Sequence, residues 1–196
     1  ARLFECLCAY AAEKYVRDGI ASPTRYLYFG SPRKDWVKKH QPFSAAVDEL
    51  ISQIADGRNR VSGVRSIVGV RGDGGDGGLD VIAWRPFHDG RKGQLILLGQ
   101  CAAAHKSEDY LSKITEVQSF LDEYVEFDSP LTLAFFLPHT LSHNDEDHVR
   151  SWEKIIRHRQ IPFDRVRIAM YGSDWADTAA ADLITDWEEK AELQLS

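Results

Sequence analysis

The fold of this chain is decided by two apolar stretches, Leu79-Asp80-Val81-Ile82-Ala83-Trp84 and Gln94-Leu95-Ile96-Leu97-Leu98-Gly99-Gln100-Cys101. Both are short and rich in β-branched or other apolar residues, which is typical of buried strands. The residues between them, 85–93, include the proline, aspartate and glycines of a turn. The sequence therefore predicts that residues 79–84 and 94–101 form a β-hairpin.

One polar side chain stands near the same end of each predicted strand. Asp80 lies at the head of the first strand, where aspartate is disfavoured, and Gln100 lies near the end of the second. If the hairpin is centred near Asp89 and Gly90, residues whose numbers sum to about 180 face each other across the strands. Directly opposed residues have their Cβ atoms roughly 5 Å apart. We therefore expect Asp80 and Gln100 to lie close enough to share one cation.

The rest of the chain shows helical and strand patterns in turn. Apolar spacing predicts helices at residues 2–17, 43–55, 108–124, 145–158 and about 178–193. Strands are predicted at residues 26–29, 64–70, 131–137 and 165–171. This order predicts an α/β fold in which helices pack around a mixed sheet with one central hairpin. No domain boundary is visible, so residues 1–196 are expected to form a single domain, and a start without Met fits a piece of a longer protein.

Composition narrows the class of protein. Hydrophobic residues make up 43% and charged residues 28% of the chain, which is the balance of a folded globular domain. No apolar run approaches the roughly 18 residues that cross a bilayer, so we expect no membrane partner. The three cysteines form no C-x-x-C pair, which argues against a disulfide framework or structural zinc and fits a reducing cytoplasm. The net charge of −6 is the wrong sign for gripping nucleic acid by charge alone.

A glycine-rich loop precedes the hairpin. Residues 72–78 contain five glycines in seven positions, which permits positive φ angles and close approach of another molecule. A dinucleotide-binding fingerprint needs a helix after such a loop, and here a strand follows. The loop therefore indicates a turn or an open site, and it excludes a Rossmann-type phosphate loop.

The loop and hairpin together resemble a known superfamily. The segments Asp76-Gly77-Gly78-Leu79-Asp80 and Gly99-Gln100-Cys101, after a glutamate on a helix, resemble the motif of PD-(D/E)xK nucleases, in the restriction-endonuclease-like branch with Gln in the second acidic place. The resemblance implies a restriction-endonuclease-like fold and an Mg²⁺-dependent (or Mn²⁺-dependent) DNA endonuclease that hydrolyses phosphodiester bonds, plausibly in defence against foreign DNA. It implies Asp80, Gln100, the Cys101 carbonyl and a helix glutamate as metal ligands. A partner domain or subunit is expected to supply most of the grip on DNA.

The lysine of the motif is displaced in this chain. The family's lysine stands two residues after the glutamine, and that position is Ala102. Lys106 and Lys113 are the candidate substitutes. On the predicted helix 108–124, Lys113 lies within roughly 60° of the apolar face and could reach inward. The stretch Asp164-Arg165-Val166-Arg167 resembles a late strand of related bacterial proteins with a lysine on a helix, which favours Lys113.

Ala102 also leaves two other interpretations open. A nuclease-like fold without catalysis could serve as a DNA-binding or assembly module, and both Ala102 and the negative net charge favour it. An unrelated α/β interaction domain could use Asp80 and Gln100 only as a hydrogen-bonded pair.

The helix glutamate of the motif is predicted from periodicity. On the first helix, Glu5 shares a line with Ala9, Ala12 and Val16. A carboxylate on such a face either turns towards a site or loses solvation. Glu5 is therefore expected to point towards Asp80, with Glu49 on the second helix as the alternative.

Overall fold

The structure is a computed structural model that describes residues 2–17, 23–30, 43–60, 77–102 and 112–175. Within these ranges the helices are α1 (Arg2–Arg17), α2 (Phe43–Ile54), α3 (Glu116–Glu123), α4 (Glu146–Arg157) and α5 (Arg165–Gly172), with a 3₁₀ turn at Ser112–Thr115 before α3. The strands are β1 (Arg25–Tyr28), β2 (Arg58–Asn59), β3 (Val81–Arg85), β4 (Leu95–Cys101), β5 (Val125–Glu126), β6 (Leu131–Phe136) and β7 (Gln160–Phe163).

Five of the strands form a mixed sheet in the order β1-β3-β4-β6-β7. Strands β1, β3 and β4 pair antiparallel, whereas β4, β6 and β7 pair parallel. Strands β2 and β5 form a separate antiparallel pair. The predicted α/β class, with a mixed sheet that contains the hairpin, is therefore confirmed.

The register of the hairpin is the one that the sequence predicts. Val81 pairs with Gly99 and Trp84 pairs with Ile96, so the residue numbers of opposed pairs sum to 180. The register brings the residue before Val81 next to the residue after Gly99. These two residues are Asp80 and Gln100, at the end of the hairpin remote from its turn.

The sheet is buried on both faces, which explains why its strands read as nearly continuous apolar runs. On one face α1 packs over alternate residues of the hairpin, among them Val81, Ala83 and Leu97. On the other face α2 and α3 pack over the intervening residues, among them Ile82, Trp84, Ile96 and Leu98. Side chains of consecutive strand residues point to opposite faces. The face of a hairpin residue therefore determines which helices it can meet.

Several predicted elements are confirmed within one or two residues of their ends. The predicted helices 2–17 and 43–55 are α1 and α2, and the predicted strand 131–137 is β6. The predicted helix 145–158 is α4, which is capped by Asp145. The Asp145 side chain accepts hydrogen bonds from the main-chain N–H groups of Asp147 and His148, two donors that the first helical turn leaves unpaired.

The predicted strand 165–171 is wrong, because these residues form α5. The Asp164 side chain caps this helix by accepting a hydrogen bond from Arg167 N at 3.1 Å. Its other oxygen accepts from Leu141 N at 3.2 Å. The cap gives a hydrogen-bond acceptor to an N–H group in the first turn of the helix. This stabilisation outweighs the β-propensity of the valine and isoleucine in the segment. The stretch from Asp164 to Arg167 that resembled a strand therefore begins a helix.

Some predicted features lie outside the described residues. They are the strand 64–70, the helix 178–193, most of the glycine-rich loop, and Lys106. The predicted helix 108–124 is described only from Ser112, where it starts as a 3₁₀ turn. Among the described residues, no helix combines the length and the apolar character needed to cross a bilayer.

Candidate metal centre at the end of the hairpin

The regular pairing of β3 with β4 begins at Val81, directly after Asp80. Asp80 N donates to Gly99 O at 3.0 Å, and Asp80 O accepts from Phe29 N at 2.6 Å. Cys101 N donates to the carboxylate of Asp80, at 2.7 Å from Oδ2. The side chain of Asp80 therefore takes the place of a main-chain acceptor on the neighbouring strand. Asp80 is 3% exposed.

The change in pairing coincides with a break in the side-chain alternation. Leu79 and Ile82 pack in the same core cluster although they are three residues apart, whereas Val81 packs on the opposite face. An uninterrupted strand would place Leu79 and Ile82 on different faces. Local irregularities of this kind often re-aim a side chain beside a functional site. Here the break turns Asp80 along the sheet towards β4 and β1.

Glu5 approaches the same place from α1. Gly30 follows β1, and a Cβ atom added to it would collide with Oε2 of Glu5. The same position lies 2.9 Å from Cδ of Glu5 and 3.3 Å from Oδ1 of Asp80. The two carboxylates therefore face one small space that exists because residue 30 has no side chain.

The alternative glutamate lies elsewhere. Glu49 is exposed on α2 and accepts a hydrogen bond from Gln53 Nε2 at 2.9 Å. Helix α2 packs on the face of the sheet opposite α1. Of the two predicted glutamates, Glu5 is the one that the structure brings to Asp80.

Gln100 is buried, but its side chain lies on the face of the sheet opposite the one that Glu5 and α1 cover. Strand alternation places its side chain with that of Leu98, opposite α1 and Glu5. Its Nε2 donates to Cys101 O at 3.4 Å. Its Oε1 has no hydrogen-bond partner among the described residues. Asp80 and Gln100 therefore both bind the main chain of Cys101, one at its N–H and the other at its carbonyl oxygen.

This arrangement differs from the predicted pairing of Asp80 with Gln100. The strand register is correct, but the break at Asp80 turns its carboxylate away from the face on which Gln100 stands. The structure therefore brings Asp80, Glu5 and the main chain of Cys101 together directly. Gln100 joins them only through the Cys101 carbonyl.

Lys113 is exposed and does not turn inward. It lies in the 3₁₀ turn, where successive residues are about 120° apart, so an angle estimated for an α-helix does not apply to it. Its neighbour Ile114 is the buried residue, and it packs in one cluster with Ala102 and Phe135. The turn that carries Lys113 therefore lies beside the position where the family's lysine would stand.

Two thiols lie beside the carboxylates. Cys8 on α1 and Cys101 on β4 are buried and form a side-chain hydrogen bond with each other. Burial raises the pKa of the Cys101 thiol well above its usual value, and Cys8, Asp80 and Glu5 raise it further. Burial also raises the pKa of the Cys8 thiol. Neither thiol has the lowered pKa of a catalytic nucleophile.

The donors at this place fit a hard cation. Mg²⁺ prefers oxygen ligands and is commonly held by one or two carboxylates together with water and substrate oxygens. Asp80 and Glu5 supply two carboxylates, and Cys101 supplies a nearby carbonyl. Among the described residues, no group of three or more His, Cys, Asp or Glu side chains is placed to hold a metal ion. Two carboxylates and a main-chain carbonyl are nevertheless oxygen donors of the kind that Mg²⁺ accepts.

Sequence reasoning missed Gly30. Its only signal in the sequence is a glycine directly after a short predicted strand, which ordinarily indicates a turn. Its importance depends on Glu5 and Asp80, which lie 25 positions before it and 50 positions after it in the chain.

No family model, no curated protein and no solved structure matches this chain. What the chain does is therefore inferred from its own residues.

Proposed function

We propose that this chain is the nuclease domain of an Mg²⁺-dependent DNA endonuclease with a restriction-endonuclease-like fold. The observation that carries the proposal is the convergence of Asp80 and Glu5 on the space beside Gly30. Two acidic side chains that converge on one small space suit a bound cation, because a cation offsets the repulsion between like charges where water is scarce.

The arrangement of the sheet supports the same proposal. An antiparallel hairpin continues into two parallel strands, and α1 crosses the hairpin face that carries Asp80. The nuclease motif implies a helix glutamate and a strand-end aspartate that meet at the open end of a hairpin. Glu5 and Asp80 are the residues that we propose for those two places.

The ligands that we propose for Mg²⁺ or Mn²⁺ are the carboxylates of Asp80 and Glu5 and the carbonyl of Cys101. When bound, the cation would lower the pKa of a coordinated water and offset negative charge on the phosphate. The hydrogen bond from Cys101 N fixes Oδ2 of Asp80, so Oδ1 keeps its direction towards Gly30 and Glu5. Gln100, which the motif implies as a ligand, is instead proposed to hold the Cys101 carbonyl through Nε2.

The lysine that we propose for catalysis is Lys113. It is exposed on a turn that packs against Ala102, so its ammonium group can meet a DNA phosphate or the attacking water without being buried. A protonated lysine cannot ligate a metal ion. Its removal should therefore slow cleavage and leave metal binding intact, and Lys106 is the alternative.

The proposed substrate is DNA, and the proposed setting is the cytoplasm, in defence against foreign DNA. The net charge of −6 opposes binding to a polyanion, so a partner domain or subunit is proposed to supply most of the positive charge that DNA requires.

A second function is favoured by one observation. Ala102 is fully buried in a cluster with Ile114 and Phe135, so the usual lysine position is packed as part of the core. This would suit a nuclease-like module that binds DNA or assembles with a partner without cutting. The two functions differ in whether purified protein breaks a phosphodiester bond.

The test is a plasmid-nicking assay on the purified chain with Mg²⁺, Mn²⁺ or a chelator, and on its full-length parent where one exists. We expect nicking that requires the metal, that falls to background in Asp80→Asn and that slows in Lys113→Ala. Lys154→Ala is the matched control, because Lys154 is an exposed lysine on α4, and it should cut at the wild-type rate.

Three outcomes separate the alternatives. Wild-type protein that binds DNA but never cuts with either metal would support the non-catalytic module. Cutting that survives Asp80→Asn would contradict the proposed metal centre. Normal cutting by Lys113→Ala, with loss in Asp80→Asn, would keep the nuclease and transfer the lysine role to Lys106.

A further inference from the structure

Helix α5 is apolar on its outer face as well as on its inner face. On the inner face, Ile168 belongs to the core cluster that includes α1, and Gly172 is buried against Leu7. On the outer face, Val166 is 50% exposed and Met170 is 68% exposed. A helix that is apolar on both faces is normally buried on both. The described part of the chain therefore covers only one face of α5.

The outer face of α5 differs from a single exposed side chain. Single apolar residues on a surface are ordinary, and Phe87 in the turn of the hairpin is an example at 60% exposure. Val166 and Met170 are four residues apart on one helix, so they are neighbours on its surface. Ala169 follows Val166 by three positions and is also exposed. Three adjacent apolar side chains on one outer face indicate a surface that another molecule covers.

The outer face is complementary to itself. Its two ends carry opposite charges, because Arg165 begins α5 and Asp174 follows its last turn, and both are exposed. Asp174 also pairs with Lys14 at 2.7 Å, but its side chain stays 51% exposed and accessible to a second cation. In an antiparallel contact of two copies centred between Ala169 and Met170, the Arg165 end of one copy meets the Asp174 end of the other. The small Ala169 of each copy then lies level with the large Met170 of the other.

We propose that the outer face of α5 is a two-fold contact through which two copies of this chain form a dimer. A two-fold contact joins the same patch of both copies, as a self-complementary face requires. A typical stable interface buries about 800 Å² on each partner, and the outer face of a two-turn helix supplies on the order of half of that area. We therefore expect a weak dimer with a dissociation constant of roughly 10–100 µM. This inference does not depend on nuclease activity.

The test is sedimentation equilibrium of the purified chain, from about tenfold below to about tenfold above that range of concentration. The average mass should rise from that of the monomer towards twice that value. Met170→Glu puts a charge at the middle of the contact, so the dissociation constant should rise about tenfold or more. Phe87→Glu is the matched control, because it puts the same charge on a similarly exposed apolar residue away from α5, and it should dimerise as wild type does. Both variants should keep the melting temperature of the wild-type monomer, since both positions are exposed.

Reversal of the end charges tests the antiparallel arrangement. Arg165→Glu puts two acidic groups at each end of the contact and should weaken the dimer severalfold. Arg165→Glu combined with Asp174→Arg restores opposite charges and should recover most of the loss. The proposal is overturned if wild type stays monomeric through the whole range, because a different partner must then cover α5. It is also overturned if Met170→Glu dimerises as well as wild type, if Phe87→Glu weakens the dimer equally, or if the double variant dimerises no better than Arg165→Glu.

Discussion

Two buried aspartates of this chain, Asp56 and Asp80, have nearly the same exposure, 2% and 3%. Asp56 follows α2, and its Oδ1 accepts from Asp128 N at 2.8 Å and from Ser129 N at 3.3 Å. Its Oδ2 accepts from the Ser129 hydroxyl. Oδ2 of Asp80 accepts from Cys101 N, and its other oxygen faces a second carboxylate.

The difference shows that burial alone does not identify a functional carboxylate. Neutral donors surround Asp56, so its charge is stabilised within the fold and it holds a loop in place. Asp80 shares its space with Glu5, so each carboxylate raises the free-energy cost of keeping the other one charged. Four comparisons between variants test this contrast, and they are taken in order of expected effect.

The largest expected effect is on metal binding by Asp80→Ala. The substitution removes a proposed ligand, so the affinity for Mn²⁺ measured by titration calorimetry should fall by about 100-fold or more. Asp56→Ala is the matched control, because it removes an equally buried aspartate whose oxygens already have donors. Its folded fraction should bind Mn²⁺ within about twofold of wild type. If Asp80→Ala and wild type bound Mn²⁺ with equal affinity, Asp80 would not be a ligand.

The second effect is on the free energy of unfolding. Here the substitution of Asp56 is expected to have the larger effect and the substitution of Asp80 the smaller. Asp56→Ala leaves three donors from Asp128 and Ser129 without their acceptor, which should cost about 2–3 kcal/mol. The melting temperature in chelator should fall by about 5–10 °C. Asp80→Asn in chelator should leave the melting temperature unchanged or raise it, because it removes repulsion with Glu5. A large fall in Asp80→Asn would show that the Asp80 carboxylate is structural.

The third effect concerns Glu5. Glu5→Gln keeps the shape of the side chain and removes its charge, so the affinity for Mn²⁺ should fall about tenfold. Glu49→Gln makes the same change on an exposed face of α2, and its affinity should equal that of wild type. If the Glu5 and Glu49 variants bind Mn²⁺ equally well, Glu5 is not a ligand.

The smallest effect is expected from Gly30→Ala. The backbone of Gly30 does not have a positive φ, so alanine fits the main chain, but its Cβ displaces the Glu5 carboxylate. The rise in melting temperature on adding Mn²⁺ should be several-fold smaller than in wild type, as expected for a disturbed ligand. Gly90→Ala, at φ +68 and in open space at the other end of the hairpin, should lose about 1 kcal/mol of stability and keep the full metal response. A full metal response in Gly30→Ala would show that the cation binds elsewhere.

The sequence by itself determined the features that depend on local pattern. The apolar periodicity gave the helices α1, α2 and α4, and the turn residues around Asp89 and Gly90 gave the hairpin register. An aspartate at the head of an apolar strand marked Asp80 as unusual. These signals are readable because helices and hairpins form between residues that are near one another in the chain.

The sequence was misleading where a single side chain outweighed the local pattern. The Asp164 cap turned a stretch with strand propensity into α5, and the break at Asp80 separated its carboxylate from the face of Gln100. Neither event follows from periodicity, because each depends on one hydrogen bond to a particular main-chain group.

Only the tertiary structure decided the contacts between distant segments. The meeting of Glu5 with Asp80 beside Gly30, and of Cys8 with Cys101, joins α1 to strands that follow it by tens of residues. A sequence pattern shows which face of α1 is buried, but it does not show which strand end lies beneath Glu5. That choice depends on how α1 packs across the sheet, which is fixed by the whole apolar core that they share.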